Sequence, residues 1–500
     1  MKSNVLLITS SFEKVSLMDA SLKHPSGIKS TEDSHYPLGL AYLHSYLESC
    51  GNNIRSLYLN HCSYKKCFET INRAIEEFSP VIIGLQMFSA NRSSNYRLIE
   101  HINKKYPNIH LVLGGIHSTI MYKQLLETYP FLTIVIGEGE ITFSELVKEF
   151  RKENFDLKSI DGIAFNYNGS VIKTGHRKLI DNLDILPFPK HDLFFDDKRT
   201  SGCLLTSRGC PFNCSFCALR AISERTVRYR SPKNVVDEIE YMVNKFPKMT
   251  QLWIHDDSFF LDNQRVIEIC DDIIRRKIKM RFLCSGRAKP LSKEMVDKLE
   301  NANFKKVLLG LESGNEKILQ SCHKAISQED VLNAFRLFSG SSIGIYAFLI
   351  IGLPGETLET IMETINFVKK LQRIKYIYYR NTSIPILSIY PGTEVYEIAR
   401  AKNLINDDFW LSDKPVPLFA VEHNQEHLIK FKEIMLNHIS LDRFWTKVGF
   451  KAQFTMIPYI IKYLFISGEI TGVLIRLLKF IFPKKIYELL KSKYRILFSK

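Results

Sequence analysis

The amino-acid sequence predicts an α/β protein with two parallel-sheet domains and a helical C-terminal tail. Apolar, β-branched runs alternate with helical patterns over residues 1–160, and a second series of the same kind covers 196–420. A stretch at 161–195, with Pro187 and Pro189, separates the two series and is predicted to be a linker. Strands that lack polar alternation and are separated by helices indicate parallel sheets covered on both faces.

The first unit, 1–160, is predicted to be a doubly wound, Rossmann-like domain. Its alternating elements are strands at 4–9, 54–60, 81–87, 110–115 and 133–138, and helices at 38–50, 67–78, 93–106 and 142–152. About five strands in this length suit the doubly wound fold, which binds ligands beyond the carboxyl ends of its strands.

Candidate ligand-binding residues lie at three of these strand ends. Gly114 and Gly115 end one strand, Gly137 and Glu138 end the next, and Ser89 follows a third. Glycine lets a bulky ligand approach the backbone closely, although the same residues suit tight turns between strand and helix. Two histidines near strand ends are expected to be satisfied surface residues rather than metal ligands: His61 and His117.

The second unit, 196–420, is predicted to be a six-repeat partial (β/α)6 barrel. Its strands are expected at 202–207, 251–257, 281–288, 305–313, 343–353 and 376–387, and its helices at 231–246, 263–277, 292–302, 327–339 and 357–372. Ser231 caps the first helix and Pro232 opens it. Six repeats rather than eight leave the barrel open on one side, and the chemistry of β/α barrels gathers at the carboxyl ends of the strands.

Three cysteines follow the first strand of this barrel, in SRGCPFNCSFC. Cys210, Cys214 and Cys217 have the spacing C-x3-C-x2-C. Thiolates suit zinc or iron–sulfur chemistry. A structural zinc site needs four ligands, and no fourth Cys or His lies nearby in the sequence. Three ligands for a four-iron cluster leave one iron open to a substrate or cosubstrate, so the pattern predicts an enzyme.

Other polar residues of the barrel have simpler interpretations. Asp256 and Asp257 are adjacent in a predicted strand, so only one is expected to face the cavity while the other caps or pairs locally. His323 and Lys324 are expected to be solvated. Four further cysteines are expected to be core residues: Cys203, Cys270, Cys284 and Cys322.

Charge and composition limit the location and the partners. Ten cysteines without a signal-peptide pattern favour reduced thiols and a cytoplasmic location. Nine Lys and three Arg against one Asp and two Glu place +9 of the net charge of +15 in residues 441–500. This distribution argues against nucleic acid as a partner of the whole chain.

The C-terminal region, 421–500, is predicted to be helical, basic and apolar. Charges interrupt its apolar stretch at 454–482, so it lacks the roughly 20 apolar residues that cross a bilayer. Peripheral membrane contact and packing on the barrel are both open. Membrane contact would favour a lipid-like substrate.

The cysteine motif, with Phe216 before its last cysteine, resembles that of the radical S-adenosylmethionine (SAM) superfamily. LLGLESGNEKIL and FLIIGLPGET resemble the SAM-binding strands of that superfamily, and IHDDSFF and YPGTEVY resemble segments of its cobalamin-binding branch. The N-terminal segments YPLGLAYLHSYL, VIIGLQMFS, LVLGGIHST and VIGEGEITFSEL resemble the B12-binding module of that branch. The resemblance covers roughly residues 1–420 in consistent order.

The resemblance implies a [4Fe–4S] cluster on the three cysteines, with SAM on the free iron. An electron donor such as flavodoxin or ferredoxin would start the cleavage of SAM to a 5′-deoxyadenosyl radical. Arg287 is expected to bind the SAM carboxylate, since a guanidinium can donate two hydrogen bonds to it. The remaining SAM contacts are implied at Phe216, Glu312, Ser313, Ile350 and Gly352.

The resemblance also implies cobalamin, with one departure. Modules that coordinate cobalt through histidine use D-x-H-x-x-G, but Leu59 and Tyr64 replace the Asp and Gly around His61. Cobalamin would then be held without a protein ligand to cobalt; a domain that no longer binds it is the alternative. The implied contacts are Ser89, Gly114, Gly115, Gly137 and Glu138.

Three functions follow from the resemblance. The first is methyl transfer to an unactivated carbon or phosphorus centre of a small or lipid-like substrate. The second is cyclisation, rearrangement or oxidation without methyl transfer, and the third is a cluster- or corrinoid-based sensor. A tRNA methylthiotransferase is disfavoured because the first unit lacks a second cysteine trio.

Overall fold

The computed structural model describes residues 3–11, 36–60, 63–195, 199–375, 377 and 384–439. Seven strands form the first sheet, in the order β2-β1-β3-β4-β5-β6-β7. They are β1 (Asn4–Ser11), β2 (Asn53–Asn60), β3 (Ile82–Gln86), β4 (His110–Gly114), β5 (Thr133–Val135), β6 (Ile163–Tyr167) and β7 (Ser170–Lys173). The first five are parallel, which confirms the doubly wound prediction.

The hairpin β6–β7 belongs to this first sheet. It pairs antiparallel with β5 and extends the sheet at its edge. Its residues lie within the stretch at 161–195 that the sequence assigns to a linker. The prolines that mark a linker come only after the hairpin, so the start of the predicted linker is structurally part of the first unit.

Helices cover both faces of the first sheet. They are α1 (Leu38–Ser49), α2 (Tyr64–Phe78), α3 (Arg92–Lys105), α4 (Ile116–Ile120), α5 (Tyr122–Thr128) and α6 (Glu140–Glu149). In β1, Leu6 and Ile8 pack into the core on one face, whereas Val5 and Leu7 pack on the other. This alternation is the two-residue period of a strand buried on both sides. Helices α4 and α5 are not predicted from the sequence, because they are too short for a clear helical period.

The second sheet has five described parallel strands, in the order β14-β13-β12-β11-β8. They are β8 (Ser201–Leu204), β11 (Gln251–Ile254), β12 (Arg281–Gly286), β13 (Phe304–Glu312) and β14 (Gly344–Leu349), with a separate antiparallel ribbon of β9 (Ser207–Arg208) and β10 (Arg228–Tyr229). The predicted first strand, 202–207, is therefore divided. The N–H of Thr206 donates to the carboxylate of Asp256 instead of continuing the sheet.

Helices follow these strands. They are α7 (Arg220–Ser223), α8 (Pro232–Lys245), α9 (Asn263–Arg275), α10 (Lys293–Asn301), α11 (Glu316–Ser321), α12 (Gln328–Ser339), α13 (Leu358–Ile374), α14 (Glu394–Ala401), α15 (Asp407–Leu411) and α16 (Gln425–Ile439). Ser231 accepts from the N–H of Asn234 and Pro232 begins α8, as predicted. In the place of the sixth strand, Ile377 and Ile386 form single parallel bridges to Ile345 and Ile351.

The chain returns from the barrel to the first unit through α15. The fully buried Trp410 packs with residues of the first sheet. The hydroxyl of Tyr96 donates to the carbonyl oxygen of Trp410 at 2.6 Å. The guanidinium of Arg92 lies 4.8 Å from the Trp410 ring centroid and donates to the carbonyl of Lys414. The two units are therefore joined by packing as well as by the segment between them.

The beginning of the predicted C-terminal region packs on the barrel. Leu428, Phe431 and Met435 of α16 lie in the barrel core. The apolar stretch at 454–482 lies outside the described residues, so membrane contact through it stays a prediction. No helix in the part of the chain that the structure describes has the length and apolar character to cross a bilayer.

We expect Trp410→Ala to lower stability by about 3–5 kcal/mol, because it removes a large, fully buried side chain between the two units. Thermal unfolding followed by circular dichroism checks this expectation. Leu404→Ala, at a side chain that is 45% exposed on the same segment, serves as the matched control and should change stability little. A melting temperature of Trp410→Ala equal to that of Leu404→Ala would contradict the role of this contact.

Candidate active site

The three cysteines lie in a loop held by backbone hydrogen bonds from several elements. The N–H of Cys217 donates to the carbonyl of Cys214, which turns the loop. The N–H of Ser215 donates to the carbonyl of Cys322 at 3.0 Å, and its carbonyl accepts from the N–H of Val395 at 3.1 Å. The loop after β9 therefore carries Cys210, Cys214 and Cys217, whose thiols are close enough to interact electrostatically.

The three thiols of this loop are available as metal ligands. Cys214 is buried and Cys210 is partly buried, and all three are free thiols. Burial raises the pKa of Cys210, and it raises the pKa of Cys217 to about 11, so metal binding must release protons. Among the described residues, no group of three His, Cys, Asp or Glu is arranged to hold a single metal ion.

The adjacent aspartates divide their roles as the sequence predicts. Asp256 accepts from the N–H of Thr206 at 2.6 Å and from the hydroxyl of Ser207 at 2.7 Å, so it pairs locally. Asp257 lines a cavity between the two units. Its Oδ2 accepts from the N–H of Gly209, next to the first cysteine, at 3.0 Å. Burial raises the pKa of Asp257 to about 6. Only Asp257 faces the cavity.

Arg287 has unused hydrogen-bonding capacity beside the cysteine loop. It is buried, its guanidinium lies 3.7 Å from the Phe212 ring centroid, and its Nη1 lies 3.6 Å from the Sγ of Cys214. Among the residues that the structure describes, its Nε and Nη2 have no hydrogen-bond partner. Buried charged donors are normally paired. The geometry therefore leaves two guanidinium donors available for an anion next to the cysteines.

Glu312 and Lys324 form a buried ion pair, with 2.6 Å between Nζ and Oε1. The prediction that Lys324 is solvated is wrong, because its partner lies twelve residues earlier on the adjoining strand end. His323 is exposed, as predicted. Glu312, His323 and Ala325 all have positive φ, which non-glycine residues adopt at a cost of order 1–3 kcal/mol. The ammonium of Lys324 also lies 6.0 Å from the ring centroid of Phe216 in the cysteine loop.

The remaining residues that are predicted to contact SAM make hydrogen bonds within the protein near the strand ends. The hydroxyl of Ser313 accepts from the N–H of Asn315 and lies 3.2 Å from the hydroxyl of Thr364. Ile350 donates its N–H to the carbonyl of Glu312 at 2.9 Å. Gly352, at φ +91°, donates its N–H to the buried carboxyl of Glu356 at 2.6 Å. Burial raises the pKa of Glu356 to about 8.

A cavity of about 330 Å³ lies where the carboxyl ends of the two sheets meet. Gly114, Gly115, Gly137 and Glu138 line it from the first unit, and Ser207, Arg208, Gly209 and Asp257 line it from the second. Apart from the adjacent residues in the chain, no atom of the described residues lies within 4 Å of the position that a Cβ would take at Gly114 or Gly137. These glycines therefore keep open space along the cavity wall.

Two residues of the first unit, His117 and Ser89, do not lie where the sequence predicts. His117 is fully buried, so its prediction as a surface residue is wrong. Its Nδ1 lies 2.8 Å from the hydroxyl of Ser89 and its Nε2 lies 3.3 Å from that of Tyr96. Burial lowers the pKa of His117 to about 3, so the ring is neutral. Ser89 is not among the residues that line the cavity, and His61 lies outside the described residues.

Comparison with known proteins decides the family. The family model described as Radical SAM superfamily matches residues 204–368, and the B12 binding domain model matches residues 27–147. An uncharacterized methyltransferase of Pyrococcus horikoshii is 30% identical over 396 residues, which cover 77% of this chain and 83% of the relative. This chain belongs to the radical SAM superfamily. It is a radical SAM enzyme with an N-terminal B12-binding domain, which confirms the resemblance seen in the sequence.

Other relatives of this radical SAM enzyme are more distant. The anaerobic magnesium-protoporphyrin IX monomethyl ester cyclase of Rubrivivax gelatinosus is 29% identical over 349 residues, 66% of this chain and 61% of the relative. The solved structure of the cobalamin-dependent radical enzyme OxsB shares the fold, with a TM-score of 0.67 and 17% identity, over 99% of this chain and 75% of that one. TsrM from Kitasatospora setae has a TM-score of 0.63 and 20% identity, over 80% and 76%.

The described residues fit the cofactors of this family, which are a [4Fe–4S] cluster, SAM and cobalamin. Three thiols lie in one loop, and an unpaired buried guanidinium lies beside them. The glycine-lined cavity reaches from the first sheet to the residue before Cys210. Three residues that sequence reasoning did not assign to the site also line this cavity: Arg208, Glu140 and Arg228. Arg208 and Glu140 could have been noticed, because they stand within the SRGC and GEGE segments.

We expect Glu356→Gln to alter the pH dependence of stability. The raised pKa means that the folded state holds this proton more tightly than the unfolded chain does. The wild type therefore loses stability as pH rises from about 4.5 to about 8, by up to about 1.4 kcal/mol per pH unit. The variant has no such proton, so its melting temperature should rise relative to the wild type across this range. The control is the exposed Glu359→Gln, whose difference in melting temperature from the wild type should be the same at pH 5 and pH 8. An equally constant difference for Glu356→Gln would contradict the expectation.

Proposed function

We propose that this radical SAM enzyme is a cobalamin-dependent methyltransferase that acts on an unactivated carbon or phosphorus centre. The observation that carries the proposal is the shared cavity, in which the glycine loops of the B12-binding domain face the residues just before the cysteine motif. The similarity to a methyltransferase over 83% of that relative's length supports the same reaction class. A small or lipid-like substrate is part of the proposal.

Each group of residues has a binding role in this proposal. Cys210, Cys214 and Cys217 hold the cluster, and the open edge formed by Gly114 and Gly137 receives part of the cobalamin. When bound, the cluster with SAM supplies a 5′-deoxyadenosyl radical, and cobalamin supplies the methyl group. Overall, a substrate hydrogen is replaced by methyl, one SAM leaves as S-adenosylhomocysteine, and a second leaves as methionine and 5′-deoxyadenosine. A flavodoxin- or ferredoxin-type donor supplies the electrons one at a time.

Arg287 and Glu312 orient SAM in this proposal. The Nε and Nη2 of Arg287 point to a carboxylate partner, because they are the unpaired donors of a buried cation beside Cys214. The carboxylate of Glu312 is directed by its contact with Lys324, and it lies at the strand end where the ribose and amino group are expected. Phe216 and Ile350 complete the side of the site that meets the adenine. Asp257 lies at the cavity wall, where it can contact the acceptor.

A labelled methyl group tests the proposed reaction. Anaerobically reconstituted protein is incubated with methyl-labelled SAM, a reductant, cobalamin and a small-molecule extract of the host cell. We expect label in a product, together with 5′-deoxyadenosine and S-adenosylhomocysteine. The matched control is Cys214→Ala, which should form no 5′-deoxyadenosine, whereas the wild type should carry about four irons per chain.

The outcomes separate the candidate functions. A product that forms with 5′-deoxyadenosine but without label would favour cyclisation or oxidation, the class of the Rubrivivax gelatinosus relative, of which the chain covers 61%. Cluster binding without any 5′-deoxyadenosine would favour a sensor. SAM cleavage by Cys214→Ala at the wild-type rate would end the assignment of the cluster ligands.

We expect Arg287→Gln to weaken SAM binding by about tenfold to a hundredfold, because hydrogen bonds to a charged partner contribute about 1.5–3 kcal/mol. Equilibrium binding of SAM to the reconstituted protein measures the change. Arg287→Lys should recover only part of the affinity, since an ammonium cannot match the two-point contact. The exposed Arg275→Gln on α9 is the control. Equal affinities for Arg287→Gln and Arg275→Gln would remove this residue from the SAM site.

A further inference from the structure

Four charged residues meet across the interface between the two domains. Arg208 contacts Glu138 at 3.0 Å and Glu140 at 2.6 Å. Arg228 contacts both oxygens of Glu138, at 2.8 Å and 3.0 Å. We call these four residues the interdomain charge cluster. Each is partly or fully buried, with 7–17% of its side chain exposed.

The arginines and the carboxylates come from different domains. Arg208 and Arg228 are directly opposite each other on the ribbon β9–β10 of the barrel. Glu138 lies in the loop after β5, and Glu140 begins α6, where a negative charge is favoured by the helix dipole. Two adjacent buried cations are unfavourable unless they are paired. In the described part of the chain, both find their acidic partners only in the opposite domain.

The interdomain charge cluster is continuous with both cofactor sites. Arg208 is followed by Gly209 and then by Cys210, the first residue of the cysteine motif. Glu138 follows Gly137, which lines the cavity in the first unit. The ion pairs therefore join the loop that carries the cysteines to the strand edge that carries the glycines. No other part of the described interface connects these two loops so directly by charge.

Glu138 has no free capacity for a ligand. Its Oε1 accepts from Arg208 and Arg228, while its Oε2 accepts from Arg228 and from the N–H of Ile180 at 2.9 Å. Glu138 stands at a strand end, and the resemblance implies it as a cobalamin contact. Because its carboxylate already accepts four hydrogen bonds from the protein, Glu138 instead acts by holding the two arginines in place.

We propose that the interdomain charge cluster is a positioning device that sets the separation and orientation of the cobalamin-binding edge relative to the [4Fe–4S] loop. The inference rests on the proposed function and goes beyond it, because it assigns four residues that line the cavity a role in orienting the two domains. Loss of one carboxylate leaves a buried arginine without its partner and lets the cysteine loop move away from the glycine edge. Methyl transfer depends on this geometry, whereas SAM cleavage uses residues of the barrel alone.

Glu138→Gln and Glu140→Gln test the proposal in the full-length protein loaded with both cofactors. The first measurement is the magnetic interaction between the reduced cluster and cobalamin in its cob(II)alamin state, followed by electron paramagnetic resonance. The second is the ratio of the initial rates at which S-adenosylhomocysteine and 5′-deoxyadenosine form without added acceptor, because S-adenosylhomocysteine then stops at one equivalent per cobalamin. The control is Glu77→Gln, which removes an exposed ion pair with Arg55 elsewhere in the same domain.

We expect Glu138→Gln to bind iron and cobalamin as the wild type does but to show a weaker magnetic interaction. S-adenosylhomocysteine formation should fall by about tenfold or more while 5′-deoxyadenosine changes little, since a misplacement of about 1 Å can cost a hundredfold in rate. Glu77→Gln should match the wild type in both measurements. A Glu138→Gln protein with the wild-type magnetic interaction and product ratio overturns the proposal, and so does a parallel fall of both products.

Arg208→Lys keeps the proposal testable if Glu138→Gln does not fold. Lysine retains the charge but lacks the planar fork that reaches Glu138 and Glu140 together. We expect an intermediate product ratio, and a wild-type ratio overturns the proposal. Failure of the proposed function is a different result, because the wild type itself would then take up no cobalamin or cleave no SAM.

Discussion

The direction of the strands is the constraint on which the site depends. In a parallel sheet every strand ends at the same edge, so each domain presents its variable loops on one side only. The two edges can share ligands only if the domains face each other edge to edge. The cavity lined by Gly114 and Gly137 on one side and by Gly209 and Asp257 on the other shows that they do. The cysteine loop and the glycine loops owe their proximity to this arrangement.

Electrostatics and apolar packing maintain this arrangement by different means. The charge cluster acts at the cavity itself, where its partners must be oriented as well as close. Trp410 is not among the residues that line the cavity, and burial of its large ring contributes apolar free energy to the contact between the units. The interdomain charge cluster determines the relative orientation of the two domains, and the packing of Trp410 contributes stability. A protein with two cofactors needs both, because a stable interface with the wrong orientation would keep the centres apart.

Local sequence patterns predicted the helices and strands well, whereas contacts between residues that are separated in the sequence were not predicted. The period of apolar residues indicated the sheets and most helices. The prediction that one of the adjacent aspartates faces the cavity was right, although both lie beyond the end of β11 rather than within the strand. The burial of Lys324 and His117 was not predicted, because Glu312 and Tyr96 reach them through the fold. Glu138 was assigned to a ligand, since the arginines that occupy its oxygens lie some seventy and ninety residues away. Spacing in the sequence reveals a binding loop, but it does not reveal which polar groups are already occupied.

The return of the chain through α15 also limits how far the two domains can separate. A wide opening between them would have to withdraw Trp410 from the core of the first unit and break the Tyr96 and Arg92 contacts made with the same segment. Such an opening is a sub-global event, which costs more free energy than the motion of a single loop. The α15 segment therefore opposes any opening of the cavity wide enough to separate its two walls.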